Sequence, residues 1–375
     1  MNAMEKHSAL FSPYRLRGLE LANRVVVSPM CQYSASDGCM NDWHMMHLGT
    51  LSGSGAGLLI FEATSPTVEG RITHGCSGLY SDNNEAAMRR VADACRRYGR
   101  AKLGVQLGHA GRKGSAQQPW VGGRSIAPTD PYGWQTRSAS ALALGEGWHA
   151  PVPLTIAEIE QLKQDFVTAA HRAERIGLDL IELHFAHGYL FHQFLSPVSN
   201  RRDDQYGGSL QNRMRLPLET FAEMRRVWPE HKPMGVRISA TDWITGGWDL
   251  EQSLVLCEAL QQLGCDYVDV SSGGISLDAK IPVGPAYQTP FAAEIKRQLG
   301  IAVMSVGMIT EPEQAEAIVR EGKADLIALA RAFIDDPHWA WHAAYRLGGE
   351  VATPDQYHRG VMKTWPPAKR HLAQV

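Results

Sequence analysis

The chain has 375 residues, of which 44% are hydrophobic and 20% charged, and a formal net charge of −2. That composition is typical of a soluble globular protein, and the near-neutral balance leaves no electrostatic footprint for nucleic acid, so a small-molecule partner is expected. Met1 to Phe11 carries no apolar signal segment, and the most apolar later stretch, 324–334, is broken by Asp325 and Arg331, so neither a signal peptide nor a membrane span is expected. The cysteines at 31, 39, 76, 95, 257 and 265 form no Cys-x-x-Cys pair in a chain long enough to need no staples, which reads as free thiols in a cytoplasmic protein.

Residues 11–22, with Gly18 at the turn, read as a small hairpin ahead of the main fold. Short apolar runs then alternate with helical patterns, as in parallel βα units whose strands are buried on both faces. The predicted strands are 24–30, 57–64, 102–108, 178–184, 234–240, 266–271, 302–306 and 324–330. Helical patterns occupy 42–55, 83–98, 156–176, 210–227, 250–263, 312–321 and 336–347, with Gly99, Gly177, Gly264 and Gly322 as stops and Thr155 with Glu158 as a capping box. Eight such units close into a single (β/α)8 TIM barrel; a doubly wound sheet would show an early Gly-x-Gly-x-x-Gly, which is absent. One domain is expected over 1–375, with a hairpin at 11–22, the barrel at about 24–348 and a C-terminal tail at 349–375. The long loop after strand three, 111–153, reads as a lid or pocket wall, because Trp120, Trp134 and Trp148 are costly to leave exposed.

Barrel chemistry belongs at the C-terminal ends of strands. Strand one ends Ser28-Pro29-Met30-Cys31-Gln32-Tyr33, strand three brings Gln106 and His109, strand four ends His184-Phe185-Ala186-His187-Gly188-Tyr189, and strand five carries Arg237. The two histidines fit metal ligation, oxyanion stabilisation or plain buried hydrogen bonding. A metal needs a third ligand; nothing acidic lies within the motif, and Glu182 is expected on the opposite face, so no metal is assigned. His44 and His47 repeat the spacing in a helical pattern and read as structural. Gly307 after strand seven and Ala330-Arg331 after strand eight stand where such barrels bind phosphate. With Arg237 and Gln106 in the mouth, they suit a phosphorylated cofactor whose ring needs a positive charge beside an acceptor edge; FMN meets those requirements.

From about Leu10 to Arg359 the sequence resembles the Old Yellow Enzyme family. The resemblance rests on His184-Phe185-Ala186-His187-Gly188-Tyr189-Leu190, then Phe194-Leu195-Ser196-Pro197, Asn200-Arg201-Arg202-Asp203, Tyr206-Gly207-Gly208-Ser209 and Asn212-Arg213. Pro29-Met30-Cys31-Gln32-Tyr33 is similar to the thermophilic-like branch, which includes xenobiotic reductase A; classical members place threonine at Cys31. The resemblance implies non-covalent FMN held by Ser28, Pro29, Met30, Cys31, Ala63, Gln106, Arg237, Gly307, Ala330 and Arg331, although Ala330 stands where many relatives have glycine. It implies that Tyr33, His184, His187 and Tyr189 face the substrate. No clustered cysteines or further domain suggest an iron–sulfur cluster.

The implied activity is ping-pong reduction of the C=C bond of α,β-unsaturated carbonyl compounds by NADPH or NADH. His184 and His187 would donate to the carbonyl oxygen, Tyr189 would protonate the α-carbon, and Arg237 would stabilise the reduced flavin. Cys31 either packs or tunes the flavin. A Gln-Tyr-x-Arg segment, Gln356-Tyr357-His358-Arg359, implies a homodimer or higher homo-oligomer in which Arg359 reaches the neighbouring site. Two rivals are a phosphate-binding lyase or aldolase, for which Lys113 is the available Schiff-base lysine, and a non-catalytic flavin sensor.

Overall fold

The structure, a computed structural model, describes residues 8–361 and 364–365, so the first seven residues and the end of the expected 349–375 tail lie outside the described residues. Eight parallel strands close into a ring in chain order: Val25–Val27, Leu58–Thr64, Lys102–Leu107, Leu180–Phe185, Met234–Ser239, Tyr267–Ser271, Ala302–Ser305 and Leu326–Leu329. They are numbered one to eight below. The last pairs with the first, so no edge is left exposed. Strand one is shorter than the predicted 24–30 because Ser28 makes the last ladder contact, to the Leu329 carbonyl, and Pro29 has no N–H to continue it. The segment 28–33 is thereby released as a loop at the mouth.

Closure turns alternate residues inward. At the N-terminal end the inward residues Val26, Leu58, Ile60, Leu180, Tyr267, Met304, Leu326 and Ala328 pack on Leu16, Leu19 and Leu21 of the hairpin Tyr14–Leu16 and Leu19–Leu21, which plugs the barrel floor. The outward residues, among them Val25, Leu59, Val105, Leu183 and Val268, form one core with the surrounding helices. Helices Asp82–Tyr98, Ile156–Ile176 and Leu210–Val227 begin at Ser81, Thr155 and Ser209, whose side chains each accept a backbone N–H of the first turn. Three of the described helices escape the periodicity argument, the five-residue Arg331–Asp335 among them. Leu190–Leu195 is six residues long and buried on every side, and Thr289–Leu299 starts without a side-chain cap. Among the described residues, no helix is long and apolar enough to cross a membrane.

The lid carries two short 3-10 turns, Gly111–Lys113 and Pro119–Val121, and a two-residue pairing of Arg137–Ser138 with Val152–Pro153. Trp134 is anchored by its indole N–H to the Glu69 carbonyl at 2.9 Å. Trp120 departs from the burial expectation: it is 69% exposed, standing edge-on to Tyr33 at the mouth, with ring centroids 6.0 Å apart. Inside the barrel, Gly235 faces the Tyr267 ring so closely that a Cβ would come within 2.4 Å of it. Tyr267 is fully buried and cannot swing away, so Gly235→Ala should cost about 1–3 kcal/mol by overpacking, read as a lowered thermal midpoint.

Candidate active site

Above the apolar floor the inward faces turn polar. Strand four steps from Leu180 to Glu182 to His184, strand six from Tyr267 to Asp269 to Ser271, and strands three and five contribute Gln106 and Arg237. This corrects the expectation for Glu182: it lies two residues before His184 and therefore on the same inward face, where Gln106 Nε2 donates to Oε1 at 2.8 Å and the Tyr267 hydroxyl lies 3.4 Å from Oε2.

At the mouth the His184 ring stands edge-on to His187 at 5.0 Å and to Tyr189 at 4.9 Å. His184 Nδ1 accepts the Ala186 N–H at 3.2 Å, which leaves Nε2 as the protonated nitrogen of the neutral ring. His187 Nε2 meets the Ser271 hydroxyl at 2.7 Å. Ser271 has one proton, which goes either to His187 Nε2, leaving that ring's own proton on Nδ1, or to the Gln288 side-chain carbonyl at 3.2 Å, which also receives Ser272 at 2.7 Å. Burial first, and Arg237 next, hold both imidazoles well below their ordinary pKa, so they are neutral at neutral pH. The Tyr189 phenol and the Cys31 thiol are pushed up, chiefly by burial and then by each other's neighbourhood: Cys31 raises Tyr189, and Cys76 raises Cys31.

The loop carrying these groups is held by its backbone. His187 has φ +60°, and a Cβ on Gly188 would lie 2.1 Å from the Gly274 carbonyl oxygen. Two loops thus touch backbone to backbone. Lys113 Nζ donates to both of their carbonyls, His187 at 2.8 Å and Gly274 at 3.2 Å, and burial, then Arg112, lower its pKa to about 8. Its amine is already committed, which weakens the Schiff-base reading. From below, Gly188 N–H donates to His192 Nδ1 at 2.9 Å, so His192 Nε2 bears the proton and donates to Asp242 Oδ1 at 2.8 Å. Asp242 also accepts from Ser196 Oγ at 2.6 Å and Trp248 N–H at 2.7 Å. His44, read as structural, is fully buried and bonds Glu62 at 2.9 Å; Glu62 in turn accepts the backbone N–H of Gln32 beside Cys31 and Tyr33.

A cavity of about 230 Å³ opens beside the histidines, with Arg237, Ser271, Gly307, Ala330 and Arg331 in its wall. On the inward faces the buried Ser28 Oγ, Arg237 Nε and both oxygens of Asp269 make no hydrogen bond within the protein. Arg237 Nε lies 3.1 Å from Asp269 Oδ2 without bonding alignment. Gly307, at φ +112°, lets the backbone approach Gln288 within a space that a Cβ would fill. The first N–H groups of the short helix Arg331–Asp335 have no carbonyl one turn back. A guanidinium with an unused N–H, an orphaned hydroxyl and free backbone donors fit a ring with acceptor atoms joined to a phosphate, as FMN is. A second cavity, of about 10 Å³ and wide enough for one water, joins Ala63, Cys76, His109, His184 and Tyr189.

Arg359 is not part of this assembly. It lies on the exposed turn Asp355–Gly360, where Asp355 pairs with Arg100 at 3.2 Å and Tyr357 packs on Trp341. Arg100 precedes strand three, so the turn sits at the floor end of its own barrel.

A family profile described as the NADH:flavin oxidoreductase / NADH oxidase family matches residues 9–350. The chain is 42% identical over 353 residues to an NADPH dehydrogenase of Geobacillus sp. (strain WCH70), covering 94% of this chain and 98% of that protein. It is similar to the structure of morphinone reductase, with a TM-score of 0.76 and 26% identity over 94% of this chain and 93% of that one. An Old Yellow Enzyme homologue from Zymomonas mobilis shares the fold, with a TM-score of 0.74 and 24% identity over 95% of this chain and 96% of that one.

The Asp242 network is open to test by stability. Asp242→Asn keeps one acceptor oxygen and should cost about 1–3 kcal/mol. Asp242→Ala leaves three buried donors unmet and should cost more, in the order of 3–5 kcal/mol, in denaturant titrations.

Proposed function

The chain belongs to the Old Yellow Enzyme family of NADH:flavin oxidoreductases and is an FMN-dependent NAD(P)H oxidoreductase, and on that premise we propose that it reduces the C=C bond of α,β-unsaturated carbonyl compounds. The observation that carries this reading is the mouth cluster: the buried imidazole of His184, the half-buried imidazole of His187, both neutral, and a protonated phenol converge on one spot.

Bound FMN supplies hydride transfer between NAD(P)H and the acceptor. Gln106 and Arg237 would hold its ring, Ser28, Pro29, Met30, Cys31 and Ala63 its flank, and Gly307, Ala330 and Arg331 its phosphate. His184 from Nε2 and His187 from Nδ1 donate to the substrate carbonyl oxygen, whose negative charge grows as the β-carbon is reduced; neutral donors aimed there act most strongly in the transition state. Tyr189 gives its proton to the α-carbon, a role that its raised pKa favours by keeping the phenol protonated. Tyr33 and Trp120 wall the entrance. In this reading the reductant and the acceptor use the one mouth in turn, which is a ping-pong order. Cys31 stays a thiol at neutral pH, which suits contact with the flavin better than nucleophilic attack.

His187→Ala should retain FMN at about one per chain and slow reoxidation by cyclohexenone on the order of 10²-fold or more, the scale of losing one oxyanion donor. An unchanged reoxidation rate in stopped flow would remove His187 from the carbonyl site.

The tail's position at the floor of its own barrel supports a partner as the only site that Arg359 could serve. In a symmetric dimer such an exchange is reciprocal. Mixed dimers of His187→Ala and Arg359→Ala subunits should then recover sites of wild-type rate; a monomer in solution, or unaltered enone binding in Arg359→Ala, speaks against sharing.

A further inference from the structure

Between the floor and the mouth histidines the barrel encloses two carboxylates and one guanidinium. Glu182 on strand four is 0% exposed and Asp269 on strand six is 1% exposed. Facing Glu182, among the described residues, are Gln106 of strand three, Arg237 of strand five, and Tyr267 and Asp269 of strand six. Arg237 lies level with Asp269 in the sheet register, and among the described residues its charge is the one cation set against both acids. Neither oxygen of Asp269 receives a hydrogen bond. Two buried anions sharing one cation cannot both stay ionised cheaply, because each pays desolvation and repels the other.

We propose that Glu182 and Asp269 form a proton-holding pair beneath the flavin, which, once it has lost its proton to solvent, binds one back as FMN is reduced and releases it as FMN is reoxidised. The proposal rests on the FMN placement given above, with Arg237 against the ring. The charges balance as follows. Hydride from NAD(P)H brings two electrons and one proton and leaves one extra negative charge beside Arg237. The pair answers it by taking one proton. When the hydride moves on to the β-carbon, Tyr189 protonates the α-carbon and regains its proton from solvent, the charge beside Arg237 disappears, and the pair returns its own proton to solvent. The apolar floor of Val26, Leu58, Ile60, Leu180 and the hairpin closes the lower route, so the proton reaches the pair from the mouth side of the barrel.

Burial first, and Asp269 next, raise the Glu182 pKa to about 8, while Arg237 lowers it. Below that pH Glu182 already holds its proton in both oxidation states, and nothing is exchanged. Above it, the added negative charge of reduced FMN lifts the pKa further, and uptake appears. One proton per two electrons corresponds to about 30 mV per pH unit, since a tenfold change in a two-electron equilibrium is 29.6 mV.

The test is proton uptake by the holoprotein, followed with a pH indicator in weak buffer during anaerobic reduction, together with the flavin midpoint between pH 6 and 9.5. Wild type should take up more protons at pH 8.5 than at pH 6.5 relative to free FMN, with a steeper midpoint slope above pH 8. Glu182→Gln, which keeps the shape and a partner for Gln106, should lose the added uptake and the added slope. If Glu182→Gln folds poorly, Asp269→Asn serves instead: with the repelling neighbour gone, the break should move to lower pH. Equal uptake in wild type and Glu182→Gln, or a wild-type slope without a break, overturns the pair as a proton store while leaving the FMN site intact. A purified protein that binds no FMN overturns the placement on which both readings rest.

Discussion

Closing eight parallel strands into a ring is the constraint on which everything else depends, because it turns every second residue into one enclosed column. Along that column polarity rises in layers, from Leu180 and Tyr267 on the hairpin, through Glu182, Arg237 and Asp269, to His184 and Ser271 at the mouth. Register alone brings residues from strands three, four, five and six level with one another. Ionisable groups placed inside such a column cannot be relieved by water, so they set one another's protonation.

The mouth follows from that layering. Burial first, then Arg237 below and Lys113 beside the loop, make an imidazolium unfavourable, so His184 and His187 remain neutral. The same Lys113 ties together the carbonyls of His187 and Gly274, and the His192–Asp242 pair holds Gly188 from beneath. A left-handed His187 persists because its surroundings over-determine it. Charge and backbone geometry are thus set by the same few side chains.

The strands were readable in the sequence because burial on both faces produces uninterrupted apolar runs, as in 57–64 and 178–184. The strand-end residues were readable because barrels place chemistry there, and the long motif from His184 to Arg213 carried the family. What escaped has physical causes. Glu182 was assigned to the wrong face, although alternation over two residues sets it with His184. Leu190–Leu195 has no polar face to give a helical period. Ser271, Lys113 and Asp242 act on partners 84, 74 and 50 residues away, so only folding reveals the pairs. Trp120 is exposed at the mouth, which burial preference alone could not anticipate.

The central claim is that one flavin, held over Gln106 and Arg237, passes hydride from a nicotinamide to an enone. Anaerobic titration of the purified holoprotein with NADPH, followed by cyclohexenone, tests it most directly. The account predicts bleaching of the flavin band at about one reductant per chain, its full return on adding the enone, and cyclohexanone as product. A flavin that NADPH or NADH reduces but no enone reoxidises would contradict it.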